Sequence, residues 1–193
     1  MKVNVLEEMG YAWAVRGMSY SHMLSTHDPD VVFAAEEKVG RAKLRADKLA
    51  HKDGGHNKFL ESTTVWMDVK ATRAWWSQFD TYRIGITKLS TSTMHTLMKL
   101  RPSYEDFHPH TPMRAVKTFL EIYDLEMSRD KPRIDVLKYS LPEGYLQLRL
   151  VCTNYKALRN VHHQRSAHRL PDWASFIAQV TEQLEHPHFI TER

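Results

Sequence analysis

The chain has 193 residues, 42% hydrophobic and 26% charged, with a formal net charge of +4 and twelve further histidines. That size fits one domain with a real apolar core, and the mild basic bias suits phosphorylated small molecules better than it suits a dedicated nucleic-acid surface. One cysteine, Cys152, excludes an internal disulfide framework and fits a reducing cytoplasm; the opening MKVNVLEEMGY lacks a secretion-signal core, and no apolar run nears the ~20 residues that span a bilayer.

Residues 2–6 (KVNVL) alternate polar and apolar and predict a short edge or half-buried strand. After Arg16 comes a Ser/His/Asp-rich loop, SHMLSTHDPD. From Val31 to about Lys52 the Ala, Glu, Lys, Arg and Leu content predicts a solvated amphipathic helix, stopped by Gly54 and Gly55. Residues 62–69 (STTVWMDV) read as a strand and 71–84 (ATRAWWSQFDTYRI) as a helix. Residues 87–96 are Ser/Thr-rich and read as a loop re-entering a helix, and 101–113, with three prolines, as irregular. A long helix begins near Arg114 and runs through Leu125; Pro132 interrupts it, and Ile134 to Leu137 belong to a second helix. In LPEGYLQLRLVCT, Leu146, Leu148 and Leu150 alternate with polar residues and predict a strand. NYKALRNVHHQR predicts a helix, and a last helix starts near Pro171 with Trp173, Phe176, Ile177, Val180 and Leu184 on one stripe. That order describes an α/β or α+β domain without internal repeats, residues 1–193 forming a single domain.

No Gly-rich phosphate loop is present, and neither HExxH nor paired CxxC occurs, so no metal site is expected. His108 and His110, His162 and His163, and His186 and His188 read as surface or loop histidines. Cys152 reads as a buried, inert thiol. Trp75, Trp76, Phe79 and Tyr82 read first as core packing; Gln78 and Arg83 among those rings could instead grip a base edge and a phosphate. Asn154 is placed to cap the helix that follows. Lys156 and Asn160 share one helix face, and Arg165 near the helix end offsets the dipole there. From residue types alone this is a polar, anion-tolerant face.

Four blocks, in order, resemble the flavin-dependent thymidylate synthases. They are His56-Asn-Lys-Phe-Leu-Glu61; the helix from Ala71 to Ile84, similar to the one carrying the family's Gln and Arg-His-Arg signature; Lys138-Tyr-Ser-Leu-Pro142; and Asn154-Tyr-Lys-Ala-Leu-Arg-Asn160-Val-His-His-Gln-Arg165, similar to an Asn-x-Arg-x-x-x-Asn-x-x-x-x-Arg helix. The match runs from about His51 to Ile190. In this sequence Thr81 and Tyr82 stand where the signature has Arg and His, Lys138 replaces an arginine, and the following loop lacks the family's acid and arginine.

The resemblance implies an α+β fold, a mixed sheet with flanking helices, and a homotetramer holding flavin adenine dinucleotide (FAD) between subunits. It places His56, Arg83, Asn154 and Asn160 at the flavin, and Gln78, Lys138 and Arg165 at a pyrimidine nucleotide. Lys88, Ser90, Thr91, Ser92 and Thr93 remain as loop donors to a phosphate. The implied reaction moves a one-carbon unit from methylenetetrahydrofolate to C5 of a pyrimidine deoxynucleotide, with a flavin hydride and NADPH as reductant, and Arg165 stabilising charge on the base. Two alternatives stay open: a changed reaction such as hydroxymethylation, and a non-enzymatic nucleotide or nucleic-acid binder.

Overall fold

In the computed structural model the described residues are 1–28, 30–31, 36–52 and 55–192. The alternation at the start of the chain forms β1 (Lys2–Met9), longer than the five residues expected. Gly10 then turns the chain with φ 90° into α1 (Tyr11–Ser19); a Cβ there would lie 2.5 Å from the Ser62 carbonyl oxygen, so glycine is required by both the backbone and the close approach. The charged helix is α2 (Glu36–Leu49); its expected first turn at 32–35 and its stop at Gly54 fall outside the described residues. A short α3 (Phe59–Ser62) leads into β2 (Thr64–Thr72), where Val65, Met67, Val69 and Ala71 are fully buried.

The helix expected over 71–84 is shorter, and the difference has local causes. Strand alternation continues to Thr72, whose hydroxyl accepts the Trp75 amide at 3.1 Å and caps α4 (Arg73–Phe79). Asp80 ends it, and Thr81 Oγ1 donates to the Gln78 carbonyl at 2.7 Å, drawing off an acceptor at the helix end. The Ser/Thr-rich stretch expected as loop contains β3 (Thr87–Ser90) followed by a one-turn α5 (Thr93–Thr96). Next come α6 (Met113–Met127), α7 (Ile134–Ser140) and β4 (Leu146–Asn154). The chain closes with α8 (Tyr155–Arg165), α9 (Pro171–Gln183) and α10 (His188–Thr191). The strands form one four-stranded sheet in the order β1-β2-β4-β3, which is the α+β class expected.

The chain divides into two compact units. The first comprises Met1–Lys2, Asp68–Tyr82 and Lys88–Leu150. One of its cores joins Leu97, Phe107, Phe119, Leu120, Tyr123 and Leu137. Trp75, Trp76 and Phe79 are also fully buried here, Trp75 stacked on Phe79 at 4.8 Å, so these rings are core as first read. The turn between α6 and α7 is held by a buried carboxylate: Glu126 accepts the Arg133 amide at 2.7 Å and pairs with Arg129 at 3.1 Å. A buried carboxylate is tolerated only with such partners.

The second unit comprises Val3–Met67, Arg83–Thr87 and Val151–Arg193. α8 packs on α10, and α1 on α2 and α3. Tyr155 is fully buried and its hydroxyl donates to Glu8; burial and that carboxylate push the phenol pKa up. Arg159, 8% exposed, donates to the carbonyls of Phe189 at 3.1 Å and Glu192 at 2.6 Å and so ties down α10. The side chains of Gln179 and Gln183 bond the backbone of Val3 and Val5 at 2.9–3.2 Å, using amide groups of α9 to satisfy polar backbone of β1.

Candidate functional site

Asn154 is extended (φ −139°, ψ 167°), and its Oδ1 accepts the Ala157 amide at 2.9 Å, the cap expected from sequence. The amide nitrogen of the same side chain faces Gly85. Gly85 has φ 69°, and a Cβ built there would lie 2.7 Å from Asn154 Nδ2. Gly85, Asn154 and Arg83 line a cleft of about 280 Å³ with Thr64, Cys152 and Thr153. Thr153 is 2% exposed, and its hydroxyl has no hydrogen-bond partner among the described residues. Arg83 is exposed and makes no ion pair among them. The cleft thus gathers a guanidinium, an amide N–H end and an unsatisfied hydroxyl around backbone with no side chain in the way. That donor-rich set suits a phosphate or the carbonyl edge of a heterocycle. Cys152 is half-exposed on the cleft wall rather than buried as expected.

The other expected residues are distributed as follows. His56 is exposed and lines a separate cavity of about 760 Å³ bounded by α1, α2 and the segment before α3. Asn160 is exposed and accepts from Gln164 Nε2 at 3.0 Å. Lys156 does not stand on an open anion-binding face: its ammonium donates to Asn57 Oδ1 at 2.5 Å, and Asn57 is itself buried and bonded to the Ala50 carbonyl. Arg165 ends α8 with its guanidinium 4.8 Å from the Trp173 ring centroid, a cation–π contact at the helix end where the dipole also favours a cation.

His56, Arg83, Asn154, Asn160 and Arg165 all belong to the second unit; Gln78, Lys138, Ser90, Thr91 and Ser92 belong to the first. Within the first unit, Gln78 and Lys138 are half-buried. Thr91 spends its hydroxyl and its amide on the Leu148 carbonyl, at 3.2 and 3.0 Å. The Ser92 carbonyl accepts the Thr96 hydroxyl at 2.9 Å, and Ser90 is exposed.

Sequence reasoning missed one charged cluster in the first unit. Arg149 Nη1 contacts both carboxylate oxygens of Asp80 at 2.9 and 3.1 Å, and its guanidinium lies 4.3 Å from the Trp76 ring. Lys88 joins the same carboxylate at 3.1 Å and the Tyr82 carbonyl at 3.2 Å. Lys88, expected as a phosphate donor, is therefore committed to Asp80. Along β4, Val151 is fully buried and Thr153 nearly so, while Leu148 is 43% exposed. The alternating leucines are thus not the buried face, and Arg149, only 15% exposed, lies on the better-buried one. Asp80 and Trp76 compensate its charge there. Among the described residues no group of three His, Cys, Asp or Glu side chains could hold a metal ion, and no helix is long and apolar enough to cross a membrane.

A comparison with solved structures assigns the architecture. The crystal structure of flavin-dependent thymidylate synthase ThyX from Helicobacter pylori complexed with FAD and dUMP superposes with a TM-score of 0.74 at 17% identity, covering 98% of each chain. A second structure of ThyX from the same organism, also with FAD and dUMP, gives 0.76 at 15% identity over 99% of this chain and 96% of that one. The chain has the fold of the flavin-dependent thymidylate synthases. No protein-family model matches the sequence, and no curated protein does. At this identity the synthase likeness establishes the fold, and function rests on the site.

Proposed function

We propose that this protein, acting as one domain over residues 1–193, transfers a one-carbon unit to C5 of a pyrimidine deoxynucleotide with FAD as cofactor. The observation that carries the reading is the Arg83–Gly85–Asn154 cleft, which falls on two of the four blocks resembling the synthases and brings a guanidinium and a side-chain amide N–H to one wall. Those donors fit a flavin nucleotide: a charged guanidinium for a phosphate, and an amide and a buried hydroxyl for carbonyl or hydroxyl oxygens. When bound, the flavin supplies the hydride, with methylenetetrahydrofolate as carbon donor and NADPH as ultimate reductant. The chain's own residues bind, orient and neutralise. Arg83 offers fixed positive charge, and Asn154 offers its N–H end because its oxygen is held by the helix cap. His56 and Asn160 complete the proposed flavin set.

For the nucleotide we assign Arg165 as the catalytic group. Its guanidinium lies 4.8 Å from the Trp173 ring centroid, and a planar fork there can recognise two oxygens at once and stabilise negative charge on the pyrimidine carbonyls. Gln78 reads the base edge, and Lys138, a point charge without Arg's fork, takes the phosphate with help from Ser90, Thr91 and Ser92. A homotetramer completes the proposal, because in the synthases this resembles the flavin lies between subunits.

One observation favours a changed reaction at the same carbon, such as hydroxymethylation. Tyr82, where the signature has histidine, is a buried ring 6.0 Å from Phe79, and Thr81, where it has arginine, is bonded back to Gln78. Both positions serve packing and helix termination here. The test is the absorbance spectrum of the purified protein, followed by mass spectrometry of products from dUMP and dCMP. A flavin spectrum and a mass gain of one carbon are expected; a methyl product and a hydroxymethyl product differ by one oxygen. A colourless protein that binds DNA with steep salt dependence would instead make it a non-enzymatic binder.

A further inference from the structure

β1 ends the four-stranded order, next to β2, and so presents an edge. An edge strand offers its outward N–H and C=O groups to any other extended chain, and KVNVL, with valine at alternate positions, is a good template for such pairing. The outward groups of Val3 and Val5 are not open. The Val3 amide donates to Gln179 Oε1 and the Val5 amide to Gln183 Oε1, both at 2.9 Å, and the Val3 carbonyl accepts from Gln183 Nε2 at 3.2 Å. Val3, Val5 and α9 all belong to the second unit. The match is one of spacing. Alternate residues of a strand lie about 6.6 Å apart along it, and side chains four apart on a helix about 6 Å. A helix alongside the strand can therefore serve two successive outward positions with amides at i and i+4. The orientation of both amides is fixed within α9: Gln179 Nε2 donates to Ser175 Oγ at 2.9 Å, and Gln183 Nε2 donates also to the Gln179 carbonyl at 2.7 Å. Each oxygen is thereby left for β1. The next residue on this side, Glu7, is exposed, its amide has no side-chain acceptor among the described residues, and its charge itself discourages pairing at that end.

We propose that Gln179 and Gln183 are a built-in strand mimic that closes the edge of β1 against β1 of a second copy of this chain. Antiparallel pairing of two such strands centred on Asn4 sets Val3 opposite Val5 and uses the same two amides and the same carbonyl. The side-chain contacts and the strand pairing therefore exclude each other. The device needs no ligand and is independent of the proposed reaction: a flavin-free, inactive protein still carries it.

The experiment uses the intact chain with Gln179→Met and Gln183→Met together, which keep side-chain length and helix propensity and remove the amides. Light scattering over a concentration series should show species larger than the wild-type assembly, at concentrations at least tenfold below any at which wild type forms them. Below that onset, hydrogen exchange at the Val3 and Val5 amides should be at least tenfold faster than in wild type, with β2 unchanged. Adding Asn4→Lys, an exposed change, sets two like charges opposite each other at the centre of the pairing and should restore the wild-type mass. Wild type carries a check of its own that stands even where the double variant fails to fold: its Val3 and Val5 amides should exchange at least tenfold more slowly than the Glu7 amide, relative to their intrinsic rates. Equal protection at the three positions would overturn the proposal. So would a folded double variant of wild-type mass at every concentration, and so would association undiminished by Asn4→Lys, which would put the contact elsewhere than β1.

Discussion

The contact between Gly85 and Asn154 permits a quantitative test of how the cleft is built. Replacing Gly85 by Ala imposes two costs. The backbone has φ 69°, where an L side chain costs roughly 1–2 kcal/mol. The new Cβ also falls 2.7 Å from Asn154 Nδ2, so that side chain must turn away, and it then releases the Ala157 amide. Losing such a cap costs about 1 kcal/mol. Gly85→Ala should therefore lower stability by about 2–3 kcal/mol, roughly 5–10 °C in Tm for a chain of this size. Asn154→Ala alone should cost about 1 kcal/mol. In the double variant the clash disappears, because the remaining neighbour, Ala157 Cβ, is 3.6 Å away at ordinary contact distance. The cap is already lost in Gly85→Ala, so adding Asn154→Ala should cost almost nothing, a coupling of about 1 kcal/mol. Urea unfolding of the four proteins measures this. Strict additivity, with the double variant a further ~1 kcal/mol below Gly85→Ala, would refute the claim that Gly85 acts through the Asn154 cap.

Three further outcomes are expected. Arg165→Ala should weaken nucleotide binding more than tenfold by calorimetry while Tm changes little, and Arg165→Lys should rescue poorly because an ammonium lacks the planar fork; equal affinities in all three proteins would return Arg165 to stacking and dipole roles. Cys152→Ala should keep nucleotide-modifying activity within about tenfold, so complete loss in a folded, flavin-loaded variant would make the thiol a participant. Burial depresses the His186 pKa below its ordinary value; the unfolded chain therefore takes up the proton first, and stability should fall as pH drops below about 6.5 towards the folded-state pKa. That fall should shrink in His186→Asn, and an identical pH profile of urea midpoints would remove His186 from the account.

What the sequence could determine by itself was whatever closes over a few residues. The α8 helix and its Asn154 cap were legible because an N-cap bond spans three positions, Asn154 to Ala157. The start of α9 at Pro171 was legible for the same reason, since proline presets the first turn. Strand and helix periods left α/β and α+β both open, and the resemblance of the four blocks pointed to the α+β fold that the superpositions bear out. Tertiary structure decided the rest. The leucine alternation of β4 gave the strand but not which face is buried: Arg149 sits on the better-buried one because Asp80, 69 positions earlier, neutralises it, which no local window reveals. Lys156 read as surface charge until Asn57, 99 positions away, appeared as its acceptor. The 760 Å³ cavity showed in the sequence only through the His56 block: its other cations come from the turn after α1 and from α2, and only the packing of those pieces sets them around one void. Pattern reports a residue's own element, whereas the worth of a buried charge or an edge-strand amide depends on neighbours that the folded chain alone brings within reach.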